Sequence, residues 1–477
     1  MTTRQFSRCV DLAEQYAQGQ LCITTRQTLQ YHWVRKEDIH KLLEGLTDVG
    51  LTTKNGCGDV CRNVVTCSLQ GVCPNEVGDD VRRLIEAIAT DPEIRDRQRN
   101  LPRKHKISVA GCGRACAQTL MNCQGWVPVT RGLAGGDTEH GWRLYAGGGL
   151  GARPYLGVLI LDWVPAALAL PVAWAVIEAH RRHGDRRNRA NARLKVVVAT
   201  QGARGFAETL LGILRENGVN GLDGLSIAAN PIPDIGPLFA DGQSVITQRQ
   251  AGFSTVRVMI RRSELSVAEG RTLCRLADRH ARGELMFTNR QNVELRHVAD
   301  ADVTGLRGEL QAAGFMVDGF ERAPDIVACV GTTQCRMAVS DTPKAYRLLL
   351  NSLAADRKRW ESVGSLRINF TGCPNNCAHA WIADIGLRGR RFRDDGTGGS
   401  QEGFTIMVGG SLAGAGRIGV PVLEVGLEEC VAAVQRLLDT YLAHRRDAAE
   451  TFGAYVARVT PEGLKALLAG QAGRVAS

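Results

Sequence analysis

The sequence carries an internal duplication, and this feature constrains the fold more than any other. Residues 12–51 (LAEQYAQGQLCITTRQTLQYHWVRKEDIHKLLEGLTDVGL) align with residues 276–315 (LADRHARGELMFTNRQNVELRHVADADVTGLRGELQAAGF), 264 positions further on. Downstream, Cys67 aligns with Cys329 at an offset of 262, and Cys112 aligns with Cys373 at an offset of 261. An offset that drifts by only three positions indicates a duplicated unit and predicts two structurally similar halves.

Each unit has the pattern of a helix, a strand, a helix and then an α/β region. In the second unit a further strand, residues 254–260 (STVRVMI), precedes the first helix. Its counterpart in the first unit would lie before residue 1. We therefore expect the first unit to lack its opening strand, either because the assigned start is too late or because the protein has lost that strand and any side chain it carried.

The composition is that of a folded protein without a membrane span. Its 477 residues are 44% hydrophobic and 23% charged, enough for about three domains. The start resembles no signal peptide, and the most apolar segment, residues 155–177, is interrupted by Asp162, Pro165 and Pro171. These features predict a cytoplasmic protein that does not contact a membrane. The net charge of +10 favours anionic partners, but 5% aromatic residues and the lack of a nucleic-acid-binding motif argue against nucleic acid.

The cysteines of the second unit come in two local pairs. Cys329 and Cys335 are separated by five residues, and Cys373 and Cys377 by three, within the turn sequence GCPNNC. Four thiolates that arrive as two pairs suit a cubane iron–sulfur cluster. A structural zinc site is the alternative, although zinc pairs usually have two to four intervening residues. Four buried structural cysteines are a weaker interpretation.

The first unit has a matching set of cysteines. The same spacings recur, and a second cluster is one interpretation of them. The first unit reads GCGRAC where the second reads GCPNNC, and Cys57 and Cys61 lie close by in the sequence. The spacing therefore leaves open whether the first set binds metal; its members are Cys67, Cys73, Cys112 and Cys116.

Several motifs resemble those of the sirohaem-dependent sulfite and nitrite reductases, in the same order and over nearly the whole chain. They are TTRQTLQYHW, CGDVCRNV, LPRKHK, GGGLGARPYLG, GDRRNRANARLK and TGCPNNCAHAWIADIGL. The resemblance implies an α+β fold in which two ferredoxin-like half-domains pack together and two larger α/β nitrite/sulfite reductase haemoprotein domains follow them. The expected boundaries are 1–56 and 246–320 for the half-domains, and 57–245 and 321–477 for the larger domains, the last carrying the [4Fe-4S] cluster.

The resemblance also implies roles for individual residues. Cys377 is expected to bridge the cluster to sirohaem, with Cys329, Cys335 and Cys373 as the other ligands. Arg62, Lys104 and Lys106 match the residues that contact substrate, since an oxyanion and its reduction need cations and protons. Sirohaem is a polyanion and needs matching donors. The donors expected from a polar strand face and from two loops are Thr24, Arg26, Gln30, His32, Gly148, Arg153, Arg186, Asn188 and Arg189.

The expected reaction is the six-electron reduction of sulfite to sulfide. Lys106 favours sulfite, because many nitrite reductases that resemble this chain have Asn at that position; nitrite reduction to ammonia is the alternative. Without a nucleotide-binding fingerprint, electrons are expected from a ferredoxin or a flavoprotein. A precorrin-3B synthase-like enzyme and a non-catalytic iron–sulfur electron carrier are further alternatives. The family's remaining substrate-binding arginine belongs to the opening strand, which the first unit lacks.

Overall fold

The computed structural model describes residues 1–78, 80–91, 99–133, 135–393 and 399–475, and these form four sheets. The strands are β1 (Gln20–Ile23), β2 (Leu29–Gln30), β3 (Cys61–Thr66), β4 (His105–Val109), β5 (Gln124–Gly132), β6 (Thr138–Ala146), β7 (Val158–Pro165), β8 (Ser226–Ile227), β9 (Val245–Thr247), β10 (Phe253–Val258), β11 (Glu264–Ser266), β12 (Met286–Phe287), β13 (Val293–Ala299), β14 (Val327–Ala328), β15 (Ile368–Thr371), β16 (Ile385–Arg393), β17 (Ser400–Val408) and β18 (Val420–Gly426).

The helices of the described residues flank these sheets. They are α1 (Thr3–Tyr16), α2 (Ile39–Thr47), α3 (Asp80–Thr90), α4 (Ala169–His183), α5 (Leu194–Glu216), α6 (Val267–His280), α7 (Val303–Ala312), α8 (Gly331–Gln334), α9 (Thr342–Ala355), α10 (Arg357–Val363), α11 (Cys430–His444), α12 (Phe452–Val459) and α13 (Pro461–Val475). No helix of the described residues is long and apolar enough to cross a membrane.

The two small halves begin with the same local signal. Thr2 and Gln5 form a reciprocal capping box at the start of α1, and Ser266 and Glu269 form the same box at the start of α6. A capping box satisfies two backbone donors that a helix start leaves unpaired. The duplicated sequence therefore starts the same helix twice.

The two small halves share one hydrophobic core. β1 pairs antiparallel with β11 of the other half, with Gln20 opposite Ser266. Residues of both halves, including Phe6 and Phe287, pack edge to face in that core. This arrangement confirms the predicted packing of two ferredoxin-like half-domains.

The two small sheets differ where the sequence predicts a difference. In the second, β10 lies between β9 and β13. In the first, the order is β11-β1-β2, and the described residues supply no strand beyond β2.

The two large sheets repeat one topology. The six-stranded sheet has the order β3-β4-β5-β6-β7-β8, and the five-stranded sheet has the order β14-β15-β16-β17-β18. Each begins with two parallel pairings and continues antiparallel. Thr66 pairs with Val109 in the first, as Ala328 pairs with Phe370 in the second. Each sheet packs against its own apolar core. The cysteine loops therefore follow strands that are anchored by this packing.

Candidate functional site: a cationic face beside a cysteine set

The first site segment is a tight turn. We expected Thr24, Arg26, Gln30 and His32 to share one strand face, and this prediction is wrong. β1 ends at Ile23, and the Thr24 amide bonds to the Thr28 carbonyl at 2.8 Å to close a hairpin. The Thr24 hydroxyl accepts the amides of Arg26 at 3.3 Å and Thr28 at 3.2 Å. Such local bonds compete with strand pairing. Gln30 is exposed and His32 lies near Glu264.

Arg26 points from this turn towards the first large domain. Its guanidinium donates to the Asn63 side chain at 3.3 Å and carbonyl at 2.5 Å, and to the Asn122 side chain at 3.2 Å. All these acceptors are neutral. Burial lowers the pKa of Arg26 to about 10, and the charges of Arg62 and Arg193 lower it further.

Lys104, just before β4, and Lys106, within it, lie at the same place. Burial lowers the pKa of Lys106 well below its usual value, and the charges of Arg26, Arg193 and Lys104 lower it further. Burial also lowers the pKa of Lys104. The Cys377 sulfur lies within electrostatic range of both lysines. Residues from the two units therefore meet here.

Contacts from the first half-domain hold the Cys377 loop. The Thr25 hydroxyl donates to the Cys377 carbonyl at 2.9 Å. In the same cysteine set, the Gly372 amide donates to the Cys329 sulfur at 3.1 Å, and the Asn375 amide donates to Cys373. Cys335 and Cys329 lie within electrostatic range of Cys373. The four predicted ligands therefore lie near one another, and Cys377 is the one beside the lysines.

Further cations line this face. Arg62 donates to the carbonyls of Gly58, at 2.9 Å, and Gly56. Arg193 donates to the Cys123 sulfur at 3.4 Å, and the buried Nε atoms of Arg62 and Arg193 have no partner among the described residues. Buried donors without partners are uncommon and mark places where a ligand can bind.

Two cations at this site, Arg193 and Lys195, were not predicted from the sequence. Both belong to the GDRRNRANARLK motif, which could have indicated them. Lys195 donates to the carbonyls of Gly149, at 3.2 Å, and Arg153. Burial lowers its pKa to about 8. The end of the loop between α4 and α5, with the first turn of α5, therefore brings in more positive charge than the predicted residues alone.

The remaining predicted residues organise that loop. Arg153 donates to the Ala190 carbonyl at 2.8 Å, and Arg186 to the Asn100 carbonyl at 2.8 Å. The Asn188 side chain accepts the Ala190 amide at 3.0 Å, and Arg189 lies 3.6 Å from Asp59. Arg186, Asn188 and Arg189 are exposed. No described contact joins these three to Lys104 or Lys106.

Gly148 has a packing reason of its own. A Cβ atom there would lie 2.3 Å from the Leu120 carbonyl oxygen. At the matching Gly410, a Cβ atom would lie 2.6 Å from the Trp381 carbonyl oxygen. Both units therefore need glycine at this position for close backbone approach.

A buried histidine pair supports β4, which begins at His105, between the two lysines. His105 Nδ1 lies 3.2 Å from His180 Nδ1, and His180 Nε2 donates to the Ala192 carbonyl at 2.9 Å. On the other side, Gln124 Nε2 lies 3.0 Å from His105 Nε2. Burial lowers the pKa of His180 to about 4 and that of His105 well below its usual value. Two neutral rings thus join β4 to the loop after α4.

Comparison with known families agrees with this architecture. The family model described as nitrite and sulphite reductase 4Fe-4S domain matches residues 57–215 and 322–474. The model of the nitrite/sulfite reductase ferredoxin-like half domain matches residues 1–49 and 246–313. These matches confirm the predicted fold class and the predicted [4Fe-4S] cluster and sirohaem, and the chain is an oxidoreductase.

Similar proteins include reductases of both anions. A sulfite reductase [ferredoxin] of Mycobacterium tuberculosis is 29% identical over 95% of this chain and 79% of its own length. An assimilatory ferredoxin-dependent nitrite reductase of Haloferax mediterranei is 28% identical over 94% of this chain and 76% of its own length. The solved Mycobacterium tuberculosis NirA structure superposes with a TM-score of 0.84 at 28% identity, over 97% of this chain and 82% of that one. The chain belongs to the nitrite and sulfite reductase family.

Proposed function

We propose that the protein reduces sulfite to sulfide by six electrons, with substrate bound between Cys377 and the two lysines at the start of β4. One observation carries this proposal. Lys104 and Lys106 lie partly buried beside Cys377, within electrostatic range of the further cations Arg26, Arg62 and Arg193. Cations gathered in one place repel one another, so an anion that binds among them is stabilised.

The proposed cofactor residues fit an anionic macrocycle next to a cluster. Cys329, Cys335, Cys373 and Cys377 would hold the [4Fe-4S] cluster. The cations and donors proposed for sirohaem are Thr24, Arg26, Gln30, His32, Gly148, Arg153, Arg186, Asn188 and Arg189, joined by Arg193 and Lys195. The bound cofactors supply the electron-accepting and anion-binding iron chemistry.

The chain itself supplies charge and protons. Arg62, Lys104 and Lys106 are proposed to bind the oxyanion and to deliver protons as its oxygens are lost. A depressed pKa makes the Lys106 ammonium a better proton donor near neutral pH than an exposed lysine. The neutral His105 and His180 rings hold β4 without adding charge to the site.

The proposed electron donor is a ferredoxin, as the names of several relatives state for those proteins. The net charge of +10 favours an acidic donor. A flavoprotein remains the alternative, and a donor titration with each protein under turnover distinguishes them.

Lys106 provides the test of substrate choice. We expect sulfite to be the preferred substrate by kcat/KM, with reduced methyl viologen as donor. Lys106→Asn should lower kcat/KM for sulfite by about 100-fold, as expected when a charge that stabilises the transition state is lost, and should lower it less for nitrite. The exposed Lys358→Asn is the matched control and should change neither value.

Two results would reject the substrate proposal. The first is faster turnover of nitrite than of sulfite by the wild-type protein. The second is an equal effect of Lys106→Asn on both anions. Protein that yields iron and sulfide but no extractable sirohaem would instead favour the electron carrier.

A further inference from the structure

The first cysteine set follows strands that correspond to those of the second set. Cys67 and Cys73 follow β3, as Cys329 and Cys335 follow β14. The Cys73 amide donates to the Leu69 carbonyl at 2.9 Å, and the matching Cys335 amide donates to the Gly331 carbonyl at 3.0 Å. The loops that present the two cysteine pairs are therefore folded alike.

The second pair of each set is also presented alike. Cys112 receives the Arg114 backbone amide, and the matching Cys373 receives that of Asn375. The Asn289 side chain donates to the Cys116 carbonyl at 2.7 Å, where Thr25 donates to the Cys377 carbonyl. Asn289 and Thr25 are duplicates of each other, 264 positions apart. Each half-domain thus holds the cysteine loop of the opposite unit.

The four thiols of the first set converge. Cys67 and Cys116 share a hydrogen bond, and Cys73 and Cys112 lie within electrostatic range of Cys116. The Phe239 amide donates to the Cys116 sulfur at 3.2 Å, as the Gly372 amide donates to the Cys329 sulfur in the other set. A hydrogen bond to sulfur stabilises the thiolate form that an iron–sulfur cluster requires.

Apolar side chains shield part of this set from water. Leu69, Val72, Ala240 and Ile246 are buried in the same cluster as Cys67 and Cys73, and Cys116 is partly exposed. The connector before the second unit lies against the GCGRAC loop, since the Gly236 amide donates to the Gly113 carbonyl at 2.7 Å and the Ala115 amide to the Gly236 carbonyl at 3.0 Å. The same connector supplies the Phe239 amide. A partly shielded set of four thiols is suited to an iron–sulfur cluster.

We propose that Cys67, Cys73, Cys112 and Cys116 ligate a second [4Fe-4S] cluster. On binding, each thiol releases its proton to solvent and forms one bond to iron.

The experiment counts iron and acid-labile sulfide in the full chain, isolated anaerobically and reconstituted with iron and sulfide. The wild-type protein should contain about eight cluster irons besides that of sirohaem, and Cys112→Ser and Cys73→Ser about four each. The exposed Cys57→Ser is the matched control and should retain the wild-type count. Cys335→Ser should lose the other cluster, so that the two sites are separated.

Three outcomes would overturn the proposal. About four cluster irons in the wild-type protein would do so whether or not the serine variants fold. One zinc ion per chain that disappears in Cys112→Ser would assign the set to zinc. A Cys67–Cys116 disulfide, found by mass spectrometry in the anaerobic protein, would leave too few thiols for a cluster. The iron count does not depend on the substrate, so failure of the sulfite proposal would not affect this test.

Discussion

The two units place the same arginine in the same geometry but give it different partners. Arg26 donates through Nη2 to the Asn63 carbonyl at 2.5 Å and through Nε to the Asn63 side chain at 3.3 Å. The duplicate Arg290 donates through Nη2 to the Asp325 carbonyl at 2.5 Å and through Nε to the Asp325 carboxylate at 2.7 Å. Duplication has kept these two contacts and changed an amide into a carboxylate.

Elsewhere too, a neutral side chain of the first unit is replaced by a carboxylate in the second. Lys106 and Cys123 of the first unit correspond to Arg367 and Asp384 of the second, where the ions lie 2.9 Å apart. Gln30 corresponds to Glu294, which lies 3.7 Å from the buried Arg257. We call the cations at these positions the face of each unit: Arg26 and Lys106 form the first face, and Arg290 and Arg367 form the second. We infer that a few carboxylates determine which face binds a polyanion. The second unit neutralises its own cations, whereas the first leaves its cations for a ligand.

The largest expected effect comes from removing one of those carboxylates. Asp325→Asn leaves Arg290 buried beside a neutral amide and should lower the free energy of unfolding by about 3–5 kcal/mol, as breaking a buried ion pair does. The measurement is equilibrium denaturation by urea. Asp439→Asn, which removes an exposed partner of Arg359, is the control and should cost at most about 1 kcal/mol.

Asp325→Asn also tests the comparison itself. If the variant is as stable as the wild type, Arg290 tolerates the amide as Arg26 does, and the carboxylate is not what neutralises the second face. In that case the difference between the two faces has another cause.

Much of this architecture could be predicted from the sequence because duplication copies packing along with residues. The repeated helix starts, the packed half-domains and the paired cysteine loops all follow from the aligned segments. The Thr24–Thr28 turn could not be predicted from the β-branched pattern, because local hydroxyl bonds replaced strand pairing there. Arg193 and Lys195 were missed because their place depends on how a loop folds back. The pairing of Arg367 with Asp384 depends on sheet register, which spacing does not give.

The histidine pair is a second difference between the units, and it predicts a pH dependence. His105 and His180 correspond to Leu366 and Tyr441, whose hydroxyl donates to the Glu450 carbonyl as His180 donates to the Ala192 carbonyl. Burial lowers the pKa values of both histidines. Below about pH 6.5 these histidines are therefore protonated in the unfolded chain but remain neutral in the folded protein. Stability should therefore be highest above that pH and fall as the pH is lowered towards the His180 pKa of about 4.

The size of this loss can be measured against a matched variant. His180 alone should cost about 3 kcal/mol across that range. The double variant His105→Leu, His180→Tyr, which copies the second unit, should lose correspondingly less stability between pH 6.5 and pH 4 in urea unfolding. Equal losses in the two proteins would show that other groups, such as the paired carboxylates, cause the acid sensitivity.

The smallest of these expected effects comes from giving the first face a carboxylate of its own. Cys123→Asp would place a negative charge where Asp384 stands in the second unit, close to Arg193. The new carboxylate would pair with the cations and repel the anionic cofactor, so we expect sirohaem binding to weaken by about 100-fold, the size of an unfavourable like-charge contact. Cys123→Asn has the same shape without the charge and should retain binding. The measurement is sirohaem content per chain after titration of the apoprotein with the cofactor. Equal sirohaem binding by the Asp and Asn variants would mean that shape, and not charge, separates the two faces.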